Sequence, residues 1–252
     1  MITIEKNACP PWLAEIGKHN PRKTYDRLTV SQRERLRGAL LEEQGWVCAF
    51  CGEPLGWLDS SRGWTGEDMD CRERELLCFF LPDDVAWLRG RHPAVIRQEE
   101  FRPGLPHNVR NAHLKAQSVN PELSLDYGNL VASCDASHAW GRHCDVMQGA
   151  RTAPVSPLEK NCLSLFSFDR SGRILPNPGK GAADRKRASD TIDMLGLNAG
   201  DLRIKRCMML KFCGWILRDS PARLKLMLER DSLGRHMPFH FVARSFFRPA
   251  GA

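Results

Sequence analysis

The stretch VCAFCGEPL, residues 47–55, decides how the rest of the chain is read. Cys48 and Cys51 stand two residues apart, with Gly52 and Pro54 just beyond. That spacing lets two thiolates grip one metal ion from a single tight turn, and a tetrahedral zinc site then needs two more ligands. Upstream, RLTVSQRERLRGALLEEQGWV (27–47) places Leu36, Leu40 and Leu41 at helical spacing. Ser31 or Thr29 is the candidate N-cap and Gly45 the candidate stop. The local order is therefore helix, turn and cysteine knuckle.

Downstream, the candidates for the other half of the site are Cys134 and Cys144 in CDASHAWGRHC. Nine residues separate them, so this pair is looser than the first, and His138 or His143 could replace one cysteine. Four protein ligands leave no open position, which makes such a zinc structural. A redox pair at Cys48 and Cys51 is the rival, but no βαβ pattern surrounds them. The remaining cysteines (Cys9, Cys71, Cys78, Cys162, Cys207 and Cys213) share no spacing, and most of them read as small buried hydrophobes.

Between the two halves, residues 56–110 read as an insertion rich in tryptophan (Trp57, Trp64, Trp87), with short helices expected at 73–80 and 82–89. A strand is expected to end near His113, followed by a loop with Asn120 and Pro121. A turn at Asp126, Gly128 and Asn129 leads into a second strand over 130–133. HCDVMQG (143–149) opens a short helix with Asp145 near its start. Beyond Pro157 the pattern predicts a hairpin turning at Asp169–Gly172, then a Pro/Gly/Lys-rich loop. Helices follow from Ala188 to Glu229, the last opened by Pro221.

A hydrophobic fraction of 42% and a charged fraction of 27% are those of a globular protein with a proper core. No apolar run approaches a membrane span and no signal-peptide pattern opens the chain, so the expectation is a soluble, cytoplasmic protein. The formal charge of +7 favours an acidic partner, nucleic acid above all. GKGAADRKR (179–187) and RIKR (203–206) are the basic segments that could follow a phosphate backbone.

The pattern C-x-x-C … H-L-K-A-Q-S-x-x-P-x-L-S-L-D-Y-x-N-L-V-A-S-C … H-C-D-x-x-x-G resembles the HNH endonuclease family. It looks closest to the PtuB-like branch that accompanies certain retrons and the Septu anti-phage system. LRGALLEEQGWVCAFC, SLFSFDRSGRI and LGLNAGDLRIKR extend the likeness over most of the chain, most specifically between 111 and 149. The resemblance implies a prokaryotic defence nuclease working with an ATPase of the ABC/SMC kind. It implies a ββα unit in which His113 is the general base, Asn129 braces the loop and Asp145 binds a catalytic Mg²⁺ or Mn²⁺ ion. A neutral imidazole suits proton abstraction near pH 7, and a hard carboxylate suits those ions. Lys115 and Gln117 are candidate phosphate contacts. Two positions depart from the family: Ala112 stands where many relatives carry an acidic or histidine ligand, and Gln148 where a lysine is usual. His143 is then a candidate to complete the metal's ligands.

The expected architecture is α+β. A helical lead-in (1–47) precedes a zinc-stabilised nuclease core (48–150) with its insertion, and a hairpin and helices (151–252) follow. The alternative is the same zinc-stapled fold without catalysis, binding nucleic acid or a partner; a zinc-free thiol protein is the third reading.

Overall fold

The computed structural model describes residues 1–20, 23–55, 109–135, 142–219, 222 and 228–244. The short helices expected at 73–80 and 82–89 lie outside them, as does most of the helix expected after Pro221. Helix α1 spans Pro11–His19, with proline at its first position, where the missing N–H costs nothing, and with Leu13 buried. Helix α2 spans Val30–Gln44. Of its two candidate caps Thr29 acts: its hydroxyl accepts from Gln32 N (3.2 Å) while the Gln32 side chain accepts from Thr29 N (3.0 Å). Gly45 ends α2 in the left-handed region at φ 66°, as expected of a helix stop. Leu36, Leu40 and Leu41 all face the core.

Strands β1 (Val109–His113) and β2 (Leu130–Cys134) form an antiparallel hairpin in which Ala112 faces Val131 and His113 faces Leu130. Helix α2 packs across both strands. The outer backbone of β2 is held by side chains. Gln44 donates to Ala132 O (2.9 Å) and accepts from Ala132 N (2.7 Å), while Lys6 reaches Leu130 O at 3.0 Å. The four-residue helix α3 (Asp145–Gln148) follows the fourth cysteine.

A second antiparallel pair, β3 (Phe166–Phe168) with β4 (Ile174–Pro176), turns through Asp169–Gly172. Asp169 Oδ1 collects Ser171 N (2.8 Å) and Arg173 N (3.0 Å). Gly172 has φ 80°, and a Cβ there would lie 2.1 Å from Arg203 O, so backbone meets backbone at this turn.

Helix α4 runs Ala182–Met194, α5 Gly200–Asp219 and α6 His240–Arg244. The expected start at Ala188 is therefore six residues late. Ala182 and Ala183 favour helix, Gly181 supplies the extended entry and Asp184 sits in the first turn, so part of the expected loop is helical. Met209, Phe212, Cys213 and Ile216 of α5 and Phe241 and Val242 of α6 enter the same core as Leu36 and Val131. No helix among the described residues is long and apolar enough to cross a membrane.

Candidate metal centre and the face beside it

The knuckle is closed by its own backbone: Cys48 N donates to Glu53 O (2.8 Å), Gly52 N to Cys48 O (3.0 Å) and Leu55 N to Trp46 O (2.9 Å). Gly52 takes φ 77°, and a Cβ there would strike the Phe241 ring at 2.2 Å, so α6 can press directly on the turn. The end of β2 brings Cys134 alongside, its N–H directed at Cys48 Sγ (3.4 Å). Cys144 arrives in a strained backbone conformation, φ 59° and ψ −136°, pinned by its N–H to Leu195 O at 2.7 Å. Such a conformation costs about 1–3 kcal/mol in a non-glycine residue and persists where surroundings enforce it.

The four sulfurs lie within 4.8 Å of one another and all four cysteines are buried. Cys48 and Cys144 Sγ are 3.8 Å apart, Cys51 and Cys134 Sγ 3.7 Å. Sulfurs at the corners of a tetrahedron with Zn–S of about 2.3 Å stand about 3.8 Å apart, so the donor set and its spacing fit zinc. No corner is open to water, which suits a structural ion. Without a metal, burial and thiol–thiol contacts hold Cys134 and Cys144 well above the ordinary thiol range, and burial pushes Cys51 up to about 11. Cys48 is buried too, yet hydrogen bonds from the other three thiols bring it well below. Burial thus resists a set of four bare thiolates, and the charge of the ion is what offsets that resistance.

His143 belongs to this side of the molecule. Its Nδ1 lies 3.2 Å from Cys144 Sγ and 3.7 Å from Cys134 Sγ, and its Nε2 lies 3.9 Å from Glu53 Oε2. Glu53 in turn pairs with the buried Lys205 of α5. Cys51, Glu53, Cys134 and His143 form a second cluster able to hold a metal, overlapping the first. The described residues place no other such cluster together, and Asp145 is in neither. His138 lies outside the described residues.

His113 ends β1. Its Nε2 is 3.0 Å from Ser124 O, a carbonyl that can only accept, so this nitrogen carries the hydrogen, and in the neutral ring the lone pair is on Nδ1. The Tyr25 ring meets the imidazole edge-on at 5.3 Å. Asn129 is buried and fully used: Oδ1 accepts from Lys115 N (2.8 Å), and Nδ2 donates to Lys115 O (3.0 Å) and Leu123 O (3.1 Å). It ties both ends of the loop that follows His113. Gln148, also buried, donates through Nε2 to His113 O, Leu114 O and Arg151 O at 2.9–3.0 Å, locking α3 to the end of β1.

Asp145 opens α3, with burial holding its carboxyl above the usual range against the pull of Arg110 and His113. Arg110 Nη1 lies 3.8 Å from Asp145 Oδ2, and Arg110 Nε 3.0 Å from Asp135 Oδ1. Ala112 is buried and carries no donor. Lys115 is exposed at the rim of a cavity of about 250 Å³ lined by Leu114, Asn129, Gln148, Val155 and Pro157. Gln117 is committed to Asp26 and Ser124.

The sequence has a relative. The chain is 29% identical over 109 residues to a protein of Vibrio cholerae serotype O1 biovar El Tor named as an HNH endonuclease of retron Vc95. The chain resembles an HNH endonuclease. The match covers 42% of this chain and 53% of the relative, about half the length of each. No family model matches.

The basic segments fare differently from the expectation. Lys205 and Arg206 are buried; Arg206 is spent on Gly172 O (2.8 Å), Leu197 O (2.6 Å) and Asn198. Lys205 and Arg206 therefore brace the core and do not lie along nucleic acid, while Arg203 stays half-buried. Arg187 of the other segment is tied to Glu159, at 2.7 and 2.8 Å. Sequence reasoning missed Gln44, Glu53, Arg110 and Asp135. For the last two a signal existed: Arg110 shares a strand face with Ala112, and Asp135 directly follows a candidate ligand.

Proposed function

We propose that this protein is a metal-dependent HNH-type endonuclease hydrolysing phosphodiester bonds of nucleic acid, DNA in the first instance. The observation that carries it is His113, anchored through Nε2 on Ser124 O so that the neutral ring presents its lone pair at Nδ1, at the end of a hairpin whose following helix begins with Asp145. His113 Nδ1 takes the proton of the attacking water, whose oxygen bonds to phosphorus as the bond to the leaving oxygen breaks. Ser124 O fixes the tautomer that makes this direction of transfer available. Asn129 keeps the loop at the length that holds His113 to that carbonyl. Asp145 and water would hold a Mg²⁺ or Mn²⁺ ion, which supplies charge stabilisation at the phosphate and the leaving oxygen. The cysteine site is the staple that joins knuckle, β2 and α3, and so positions Asp145 without taking part in the chemistry.

The division into a lead-in (1–47), a core (48–150) and a C-terminal region (151–252) belongs to this reading. So does a role as effector of a prokaryotic anti-phage system, with an ABC/SMC-type ATPase as partner. The relative's name supports a retron setting; the Septu connection rests on motif likeness. A second reading is favoured by one observation: Ala112 offers no ligand and Arg110 already faces Asp145. On that reading the fold binds nucleic acid or a partner without cutting. Nicking of supercoiled plasmid in Mg²⁺ or Mn²⁺, with EDTA and His113→Ala controls, decides between them. Cutting that depends on metal and on His113 establishes the nuclease; its absence, with and without the co-expressed ATPase, leaves the binding module.

A further inference from the structure

The knuckle has more donors than one tetrahedral ion can use. Beyond the four sulfurs stand Glu53 and His143, each with its side chain 1% exposed. With Cys51 and Cys134 they make a second set of four, whose donor atoms all lie within 4.8 Å of one another. The two sets meet along one edge, the Cys51–Cys134 pair, whose sulfurs are 3.7 Å apart. His143 Nδ1 stands 3.7 Å from Cys134 Sγ. A nitrogen and a sulfur on one tetrahedral zinc, with bonds of about 2.0–2.1 Å and about 2.3 Å, stand about 3.6 Å apart, so this spacing also suits a shared ion. The Glu53 carboxylate has an oxygen for each side: Oε1 meets Lys205 of α5, and Oε2 is turned to His143 Nε2 at 3.9 Å.

We propose that the knuckle is a site for two thiophilic divalent ions, zinc or cadmium, with Cys51 and Cys134 bridging between them. The first ion takes the four sulfurs. The second takes the two bridging sulfurs, Glu53 and His143, a donor set of the soft and borderline kinds that zinc prefers. Each bridging thiolate keeps a lone pair for it, because the first ion uses only one. Charge supports double occupancy. With one zinc, the four thiolates, Glu53 and the ammonium that contacts it leave this buried group with two negative charges in excess, and a second divalent ion cancels them. A proton on His143 would cancel only half. The same chemistry sets the order of filling. The second ion meets sulfurs whose charge the first already shares and a carboxylate shared with Lys205, so it binds more weakly, and the chain carries one ion until more is supplied. This second site stands whether or not the protein cuts nucleic acid.

The test is dialysis of the full chain to equilibrium against excess isotopically enriched Cd²⁺, with metal counted per chain by mass spectrometry and read by cadmium NMR. Wild type holds one ion more per chain than His143→Ala, and its two cadmium signals at the knuckle split each other through the shared sulfurs. His143→Ala leaves the Glu53–Lys205 pair in place and shows the four-sulfur signal without splitting. Glu53→Gln combined with Lys205→Met removes the carboxylate ligand without stranding the ammonium, and it loses the second ion in the same way. Cys9 and Cys207, which are not fully buried, are present in all three proteins, so any ion they hold cancels from the difference. Equal metal content in wild type and His143→Ala overturns the proposal. So does a wild type whose four-sulfur signal stands alone at saturation. Two signals without splitting overturn it as well, because the second ion then lies away from the bridging sulfurs.

Discussion

The cysteine knuckle and the His113 face are built on the same hairpin, yet they are finished to different degrees. At the knuckle four sulfurs already stand at zinc spacing, buried, with a buried ion pair and a histidine behind them. At the His113 end of the hairpin the imidazole and the bracing amides are set, while Asp145, 24% exposed, shares its neighbour Arg110 with Asp135. One side has four candidate ligands already gathered within the chain; on the proposed function the other is completed by a metal and a phosphate from solution. A structural site must be satisfied within the chain, whereas a site for chemistry keeps unspent valence for what arrives from solution.

The largest expected effect breaks the closed side. Cys134→Ser removes a ligand that also ends β2, and structural zinc carries on the order of 10 kcal/mol of binding free energy that is also folding free energy. Zinc content should fall from near one per chain to a small fraction, and cooperative thermal unfolding should be lost. Retention of both would mean that the overlapping cluster with Glu53 and His143 can take over.

On the open side, His113→Ala should cut plasmid nicking by roughly a hundred- to ten-thousandfold while leaving zinc content and melting nearly unchanged. An equal fall in melting temperature would blur the distinction between the two faces, because His113 would then be a structural residue.

Glu53→Gln tests how far the closed side extends. Glu53 and Lys205 are both buried, and leaving the ammonium without its carboxylate should cost roughly 3–5 kcal/mol in denaturant unfolding. Glu53→Gln combined with Lys205→Met should recover much of that. No recovery would show that the carboxylate matters for His143 and the cysteines more than for α5.

The smallest effect concerns pH. His236 and His240 stack at 4.1 Å behind Gly45, and burial, helped by Arg244 and in His236 by Arg230, depresses both imidazoles. His236 is brought to about 4. A folded pKa below the unfolded value near 6.5 means the unfolded chain binds protons first as pH falls. Stability should therefore be full above about pH 6.5 and decline as pH drops toward 4, measured by urea unfolding across that window. His236→Phe should flatten the slope, and an unchanged slope would assign it to other groups.

Much of this was legible in the sequence for local reasons. Thr29 with Gln32, Gly45, the CxxC spacing and the Asp169–Gly172 turn act within a few residues of themselves, so their chemistry can be read from neighbours along the chain. The hairpin followed by a short helix was also readable, because turn formers bracket its strands. What escaped reading acts across long sequence separations through backbone carbonyls. Arg206 satisfies Gly172 O and Leu197 O, and nothing in RIKR distinguishes that duty from a solvated basic face. Gln148 reads as a lost lysine but is a buried clamp on His113 O and Leu114 O. Arg110 and Asp135 become neighbours only once the hairpin register is known.

The outward side of β2 carries a last consequence. Leu130 O is taken by Lys6, both backbone groups of Ala132 by Gln44, and Cys134 N–H by a cysteine sulfur. A bare strand rim invites another strand to dock on it, from a second copy or from a partner's extended segment. Here side chains, with the Ala49 N–H also on Ala132 O at 3.1 Å, occupy that rim from one end to the other, so whatever assembles with this protein must do so without extending this sheet at β2.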